Sequence, residues 1–278
     1  QDTLFLFPKA TSLNEIVISA SKFEQSKKEV PQNVISINSK AIQLSNPQTS
    51  ADLLNNSGRV FVQKSQLGGG SPIIRGFSTN RLLITVDGVR LNNAIFRGGN
   101  VQNILSINPF NVEKTEVILG SGSVIYGSDA IGGVMNFYTT TPELSELNTP
   151  NSNARSTVRY ASANNEKTAH FDFNLGFQKW GFHSSVSVSD FGDLKMGANG
   201  LDDYLSLHYS ESVNGQDVMV SNTTPRVQKF TKFHQLHLAQ KVLYKANDDL
   251  KFDLGLHYST TSDYPRYDRL STYDSEGV

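Results

Sequence analysis

The chain contains no cysteine. That excludes disulfide staples, thiol catalysis and thiolate-bound metal in all 278 residues. It has no run of about 20 apolar residues, the length a membrane-crossing helix needs. No sign of charge dominates: 25 Lys and Arg stand against 26 Asp and Glu, a net charge of −1. The broad basic field that nucleic acid requires is therefore missing. No basic-then-apolar leader is present, and Gln1 reads as the first residue of an already processed, exported chain. Catalytic signatures are missing too. No Gly-x-Ser-x-Gly elbow follows a strand, and "GSGSVIYGSD" lacks the Gly-Lys-Ser/Thr end of a phosphate loop. Asp202-Asp203 reads as a solvated loop tip. The expectation is that the chain is not an enzyme.

What is present falls into two halves with different patterns. Residues 28–140 read as a small mixed domain. Gln48–Gly58 has a capping Thr49 or Ser50, a buried pair Leu53 and Leu54, and a stop at Gly58, which predicts a short helix. "RVFVQK" alternates as a strand with Val60 and Val62 on one face. Leu82–Leu91 is an apolar run followed by Asp87-Gly88, the pair that suits a type I′ turn. Val112–Gly120 and Gly132–Thr139 read as further strands. Glycine is dense between them, where backbone must run close to backbone or ligand.

After a Pro/Asn/Ser-rich linker at 141–153, the pattern turns to period two. Phe171, Phe173, Leu175 and Phe177 share one face, opposite His170, Asp172 and Asn174. Leu250, Phe252, Leu254, Leu256 and Tyr258 oppose Lys251, Asp253 and His257. Leu236, Leu238, Val242 and Tyr244 oppose His237 and Lys241. About five strands are expected: Arg155–Ser162, Thr168–Gln178, Phe182–Phe191, Phe230–Lys245 and Leu250–Thr260. Such alternation fits a soluble β-sandwich, as in an adhesin, or a membrane barrel. Strands of about ten residues, small and titratable polar faces, and tight turns alternating with the long 191–229 connection favour the barrel.

The residues "SPIIRGFSTNRLLITVDGVRLNN" and "VEKTEVILGSGSVIYGSDAIGGVMNFYT" closely resemble the plug domain of TonB-dependent outer-membrane receptors, and "LNEIVISA" resembles that family's TonB box. The fold this implies is mainly β: an α+β plug inside a transmembrane antiparallel barrel, 22-stranded in the family, of which only about the first five strands are expected here. The expected division is 1–27 for TonB box and tether, 28–140 for the plug, 141–153 for the linker and 154–278 for barrel strands of a longer protein. The resemblance further implies a bacterial outer-membrane location and active import of a scarce ligand. Shorter likenesses to Bacteroidetes-type iron-complex receptors put an iron chelate, siderophore or haem, first. Cobalamin, another metal chelate or an oligosaccharide follow. No resident cofactor is implied; haem or a ferric chelate would be cargo. The implied partners are TonB with its inner-membrane energising complex, the metal chelate and outer-membrane lipid, with no nucleic acid. No further domain precedes the TonB box, so signalling through a sigma-factor regulator is not expected.

Residue by residue, the resemblance assigns TonB binding to Leu13, Asn14, Glu15, Ile16, Val17, Ile18, Ser19 and Ala20, strand-adding to TonB, with Ser21–Asn33 as a flexible leash. The same segment also has a self-contained reading, as a strand tucked against the chain's own plug. Outward plug loops offer Phe77, Asn80, Arg81, Phe96, Arg97, Asn100 and Gln102 as ligand contacts, and the long loop offers His208, a residue type that ligates haem iron. Arg75 matches an arginine that salt-bridges plug to barrel wall, and Glu113 and Glu116 join the same expected network. Leu119 and Ser121 stand where the family has Arg and Pro, which puts a second ion pair in doubt.

Overall fold

The computed structural model describes residues 16–19, 25–78, 81–91 and 104–267. Two bodies make up the chain. The first is organised by a five-stranded sheet of order β3-β9-β10-β7-β8, with β3 at Val34–Asn38, β7 at Leu82–Val86, β8 at Val89–Arg90, β9 at Val112–Ile118 and β10 at Gly133–Thr139. The β10–β7 pairing is parallel and the rest are antiparallel. Before it lies a two-residue pair, β1 (Ile16–Val17) against β2 (Gln25–Ser26). Two short helices, α1 (Ser39–Ser45) and α2 (Ser50–Asn55), follow β3. A three-stranded sheet is built from β4 (Phe61–Gln63), β5 (Ser71–Ile74) and β6 (Phe77–Ser78), and α3 (Ser123–Tyr126) sits between β9 and β10.

Local chemistry accounts for these elements. Thr49 caps α2 by accepting from the Asp52 amide, and Leu53 and Leu54 are buried beneath it. Asp87 and Gly88 take φ of 49° and 80°, the left-handed pair that a type I′ turn needs. Because successive side chains point to opposite faces, the central sheet is apolar on both. Leu82, Ile84, Val117, Met135 and Phe137 pack with α2 residues and Ile104 in the larger core. Leu83, Ile118 and Val134 form a smaller core on the other face, and it contains Val17 from the N-terminal strand.

The second body is one antiparallel sheet of order β11-β12-β13-β16-β17: Asn151–Ala161, Glu166–Gly176, Trp180–Phe191, Phe233–Lys245 and Lys251–Thr261. Its burial is inside out. His170, Asp172, Asn174, His183 and Ser187 are all at most 5% exposed, whereas Phe171, Val188, Phe252 and Leu254 are 47–60% exposed. The polar face lies against the first body and the apolar face is bare. A soluble sandwich would bury the apolar face instead, so the sandwich alternative fails on this point. Lipid is the solvent that suits such a surface. Trp180, Tyr244 and Phe252 line up across β13, β16 and β17 at the short-turn end, with the Trp180 and Tyr244 rings 4.4 Å apart. That is how an aromatic girdle marks a membrane interface. Among the described residues both edges, β11 and β17, lack a further neighbour.

Three details differ from the sequence reading. Strand β11 begins at Asn151, inside the stretch read as linker, because its Asn, Ser and Ala residues pair fully with β12 despite their low strand propensity. The 191–229 connection is not structureless: it contains the hairpin β14 (His208–Val213) and β15 (Gln216–Ser221), turned by Asn214-Gly215 at φ of 54° and 82°. The expected leash contains β2, a 3-10 turn at Lys27–Glu29, and a backbone bond from Leu119 to Asn33.

Candidate functional site: a docked N-terminal strand and a polar seam

The small core face of the central sheet carries a polar strip as well as its apolar residues, and the N-terminal segment covers it. Glu116 sits mid-strand in β9, fully buried, and its carboxylate accepts from the Ile18 amide at 3.0 Å and the Ser19 amide at 2.7 Å. Lys114, two residues back on the same strand, pairs with Glu116 at 2.5 Å and donates to the Ile16 carbonyl at 3.2 Å. The Tyr126 hydroxyl donates to the Ser19 carbonyl at 2.8 Å and is itself held by Asn136. Burial raises the Tyr126 pKa, the Asn136 bond lowers it and the Glu116 charge raises it, with a net rise. Tyr126 therefore stays a proton donor at neutral pH. Val17 is fully buried among Leu83, Ile118 and Val134 while Ile16 is half exposed. The Glu116 carboxylate, the Lys114 ammonium, the Tyr126 hydroxyl and the burial of Val17 thus hold a strand whose ladder pairing is with Gln25 and Ser26.

The second feature is the seam between plug and wall. Asp87, at the β7–β8 turn, meets Lys241 of β16 at 3.1 Å and His257 of β17 at 3.7 Å, and both its oxygens accept from Thr139. Lys241 is 5% exposed and also donates to the Thr139 carbonyl at 3.2 Å. Burial alone would raise the Asp87 carboxyl, but bonds from His257 and Thr139 and the Lys241 charge outweigh it and hold it at about 2. Further along, Phe110 inserts between the wall residues His170, stacked at 4.9 Å, and Arg159, whose guanidinium lies 4.9 Å from the ring centre. Arg159 also reaches the Asn46 side chain and the Pro47 carbonyl of the plug and pairs with Glu166. Asn108 donates to Ser187 at 2.8 Å.

The residues expected at this seam fall elsewhere. Arg75 occupies the β5–β6 turn at φ 50°, exposed, and has no ion pair among the described residues. Glu113 accepts from the Thr141 amide, fixing the start of the connection to β11 rather than the wall. Glu116 serves the N-terminal segment. Asp87 and Lys241 supply the ion pair instead. The sequence marked Asp87 only as a turn residue; the one available hint was Lys241, a cation on a polar inward face with His237 on the same strand.

Of the expected TonB-binding residues, Ile16, Val17, Ile18 and Ser19 are placed as above; Leu13, Asn14, Glu15 and Ala20 lie outside the described residues. Of the expected ligand contacts, Phe77 packs its ring against the plug core and Gly132. Arg81 is exposed, its carbonyl accepting from Gly132, and His208 is exposed at the start of β14. Asn80, Phe96, Arg97, Asn100 and Gln102 lie outside the described residues.

A small α+β domain held by polar contacts inside a sheet that turns its apolar face outward is a plug in the wall of a transmembrane β-barrel. Residues 26–134 match the TonB-dependent Receptor Plug Domain family. The vitamin B12 transporter BtuB of Vibrio vulnificus (strain CMCP6) is 39% identical over 135 residues, 47% of this chain and 21% of that protein. BtuB of Photobacterium profundum is 30% identical over 136 residues, 48% of this chain and 22% of that one. Among solved structures, the pyoverdine outer membrane receptor FpvA from Pseudomonas aeruginosa PAO1 superposes with a TM-score of 0.64 at 12% identity, over 88% of this chain and 30% of that chain. Residues 26–134 therefore form a plug domain of the TonB-dependent receptor family, and the bare apolar sheet beside it fits the bacterial outer membrane. The chain spans about a fifth of the length of the curated relatives it matches.

Proposed function

We propose that the whole protein imports a scarce metal chelate across the outer membrane, driven by TonB acting on residues 13–20. One observation supports this reading: a strand of two residues is held on the plug by Glu116, Lys114 and Tyr126, whose bonds to it are separate from the ladder bonds of the central sheet. The two-residue pairing of β1 with β2 is too short to be stable alone. In exchange for it, a TonB edge would offer a longer ladder of main-chain bonds. Binding of ligand at the long-loop end would shift the plug toward conformers in which the strand is free. Neither step needs chemistry on the cargo.

For the cargo, both an iron chelate and cobalamin are metal chelates, and the B12-transporting relatives favour the second as much as the haem-type loop likenesses favour the first. His208, on an exposed loop hairpin, is the side chain we propose for direct ligation if the cargo is haem. The experiment is a titration of the full-length, detergent-purified receptor with haem, a ferric siderophore and cyanocobalamin in turn. Saturable binding of one supports the proposal and names the cargo; failure of all three at micromolar concentration counts against metal chelates.

A further inference from the structure

Among the described residues, plug and external segments also meet at the long-loop end of the sheet, where nothing so far has required a contact. The plug loop between β4 and β5 contains Gln66 and Leu67, each under a tenth exposed, followed by Gly68. The segment that continues β17 beyond its last ladder pair grips this loop from two sides. The Gln66 amide nitrogen donates to the Pro265 carbonyl at 3.1 Å, and the Gln66 amide oxygen accepts from the Tyr267 backbone at 2.6 Å. The Tyr264 hydroxyl donates to the Gly68 carbonyl, and its ring edge packs close to that glycine: a Cβ there would fall 2.7 Å from Cε2 of the ring. Leu67 packs with Phe191, Phe233 and Tyr264. On its other side the same segment reaches the long loop, where the Tyr267 hydroxyl bonds the Ser206 hydroxyl. Ser206 is in turn fixed by a backbone bond to Pro225 and by the Asn222 side chain. A continuous run of contacts therefore joins loop 192–232, through Tyr267, to plug residues 66–68.

We propose that residues 264–267 are a strap that couples the long external loop to the plug, so that displacement of the loop by arriving cargo is felt first at Gln66 and Gly68. The bonding pattern suits the task. Gln66 has both ends of its amide taken, so a shift of the strap cannot be absorbed by one bond alone. Gly68 admits the tyrosine ring only because it has no side chain. Among the described residues the strap meets the loop through the Tyr267–Ser206 hydroxyl pair, a contact that a modest movement of the loop breaks.

This deepens the receptor reading and rests on it for what the loop receives, but its test uses neither ligand nor TonB. Hydrogen exchange would be followed in the full-length receptor and in Ser206→Ala, Tyr267→Phe and Gly68→Ala. The first two remove the loop–strap hydroxyl pair while sparing the plug. The expected result is faster exchange, by about fivefold, in peptides spanning both 264–267 and 66–70, where the Gly69 amide bonds Gln66. Gly68→Ala should give the same pattern from the plug side, with exchange rising at Tyr267. Faster exchange confined to residues 206 and 267, with 66–70 unchanged in both hydroxyl variants, would overturn the strap. Should Gly68→Ala fail to fold, the two hydroxyl variants decide alone. Absence of transport by the wild-type receptor, with exchange behaving as expected, would count against the receptor reading and leave the strap intact.

Discussion

Replacing Lys241 with methionine removes one partner of the buried pair that ties the β7–β8 turn to β16. The stem volume is kept, so packing changes little, while Asp87 loses its 3.1 Å partner and the Thr139 carbonyl loses a donor. Breaking a buried pair costs about 3–5 kcal/mol. Asp87 keeps 26% side-chain exposure and its two bonds from Thr139, so a cost somewhat below that range, about 2–3 kcal/mol, is expected. The pH dependence supplies an independent check. Asp87 falls from 3.8 to about 2 in the folded chain. A carboxyl depressed on folding contributes stability that is present above its unfolded value and lost as pH falls through the folded one. The wild-type clamp should therefore weaken between about pH 4 and pH 2, by about 2 kcal/mol in all. Without Lys241, burial is less well opposed, Asp87 titrates higher, and the acid weakening starts at higher pH with smaller amplitude. The assay is hydrogen exchange or urea unfolding of the plug in the intact, detergent-held receptor, across pH. Equal plug stability in wild type and Lys241→Met, with parallel pH profiles, would refute the clamp.

Other outcomes follow from the same geometry. Arginine at Phe173 or Leu254 places a charge on the bare apolar face and should cost about 2–4 kcal/mol in lipid near the midplane, read as loss of heat-resistant mobility after reconstitution; a fully stable variant would deny the lipid contact. Phe110→Ala empties the slot between His170 and Arg159 and should destabilise plug seating by about 3 kcal/mol, seen as faster exchange at 105–113; unchanged exchange there would count against the anchor. Glu116→Gln together with Tyr126→Phe weakens three bonds to the stored strand, so the full-length receptor without ligand should bind the periplasmic domain of TonB about tenfold more tightly. Equal affinity would mean that these groups do not hold the strand back.

How legible this was depended on which interactions were periodic. Barrel strands declared themselves through Phe171, Phe173, Leu254 and Leu256 because a two-sided solvent, lipid outside and polar plug inside, imposes strict alternation. Turn chemistry at Asp87-Gly88 and the Thr49 cap are local and came through as well. The N-terminal strand could be found by its β-branched residues, but not its seat on Glu116, since a carboxylate in mid-strand, ninety-eight positions from the amide it holds, has no local signature. The same applies to the seam. Arg75 matched a motif, yet ion pairing depends on where a turn tip ends up, which no motif states; among the described residues the ion pair across the seam is Asp87 with Lys241. Only the start of β11, Asn151–Asn153, looked like linker, because an edge strand facing polar neighbours needs few apolar residues.

The most direct test of the account is uptake of labelled chelate by cells carrying the full-length receptor, wild type against Ile16→Pro, with surface binding measured in parallel. Proline removes a ladder amide from the strand that TonB would extend. The account predicts that binding persists while uptake falls to the level of cells lacking TonB. Uptake that continues unchanged in Ile16→Pro would contradict it.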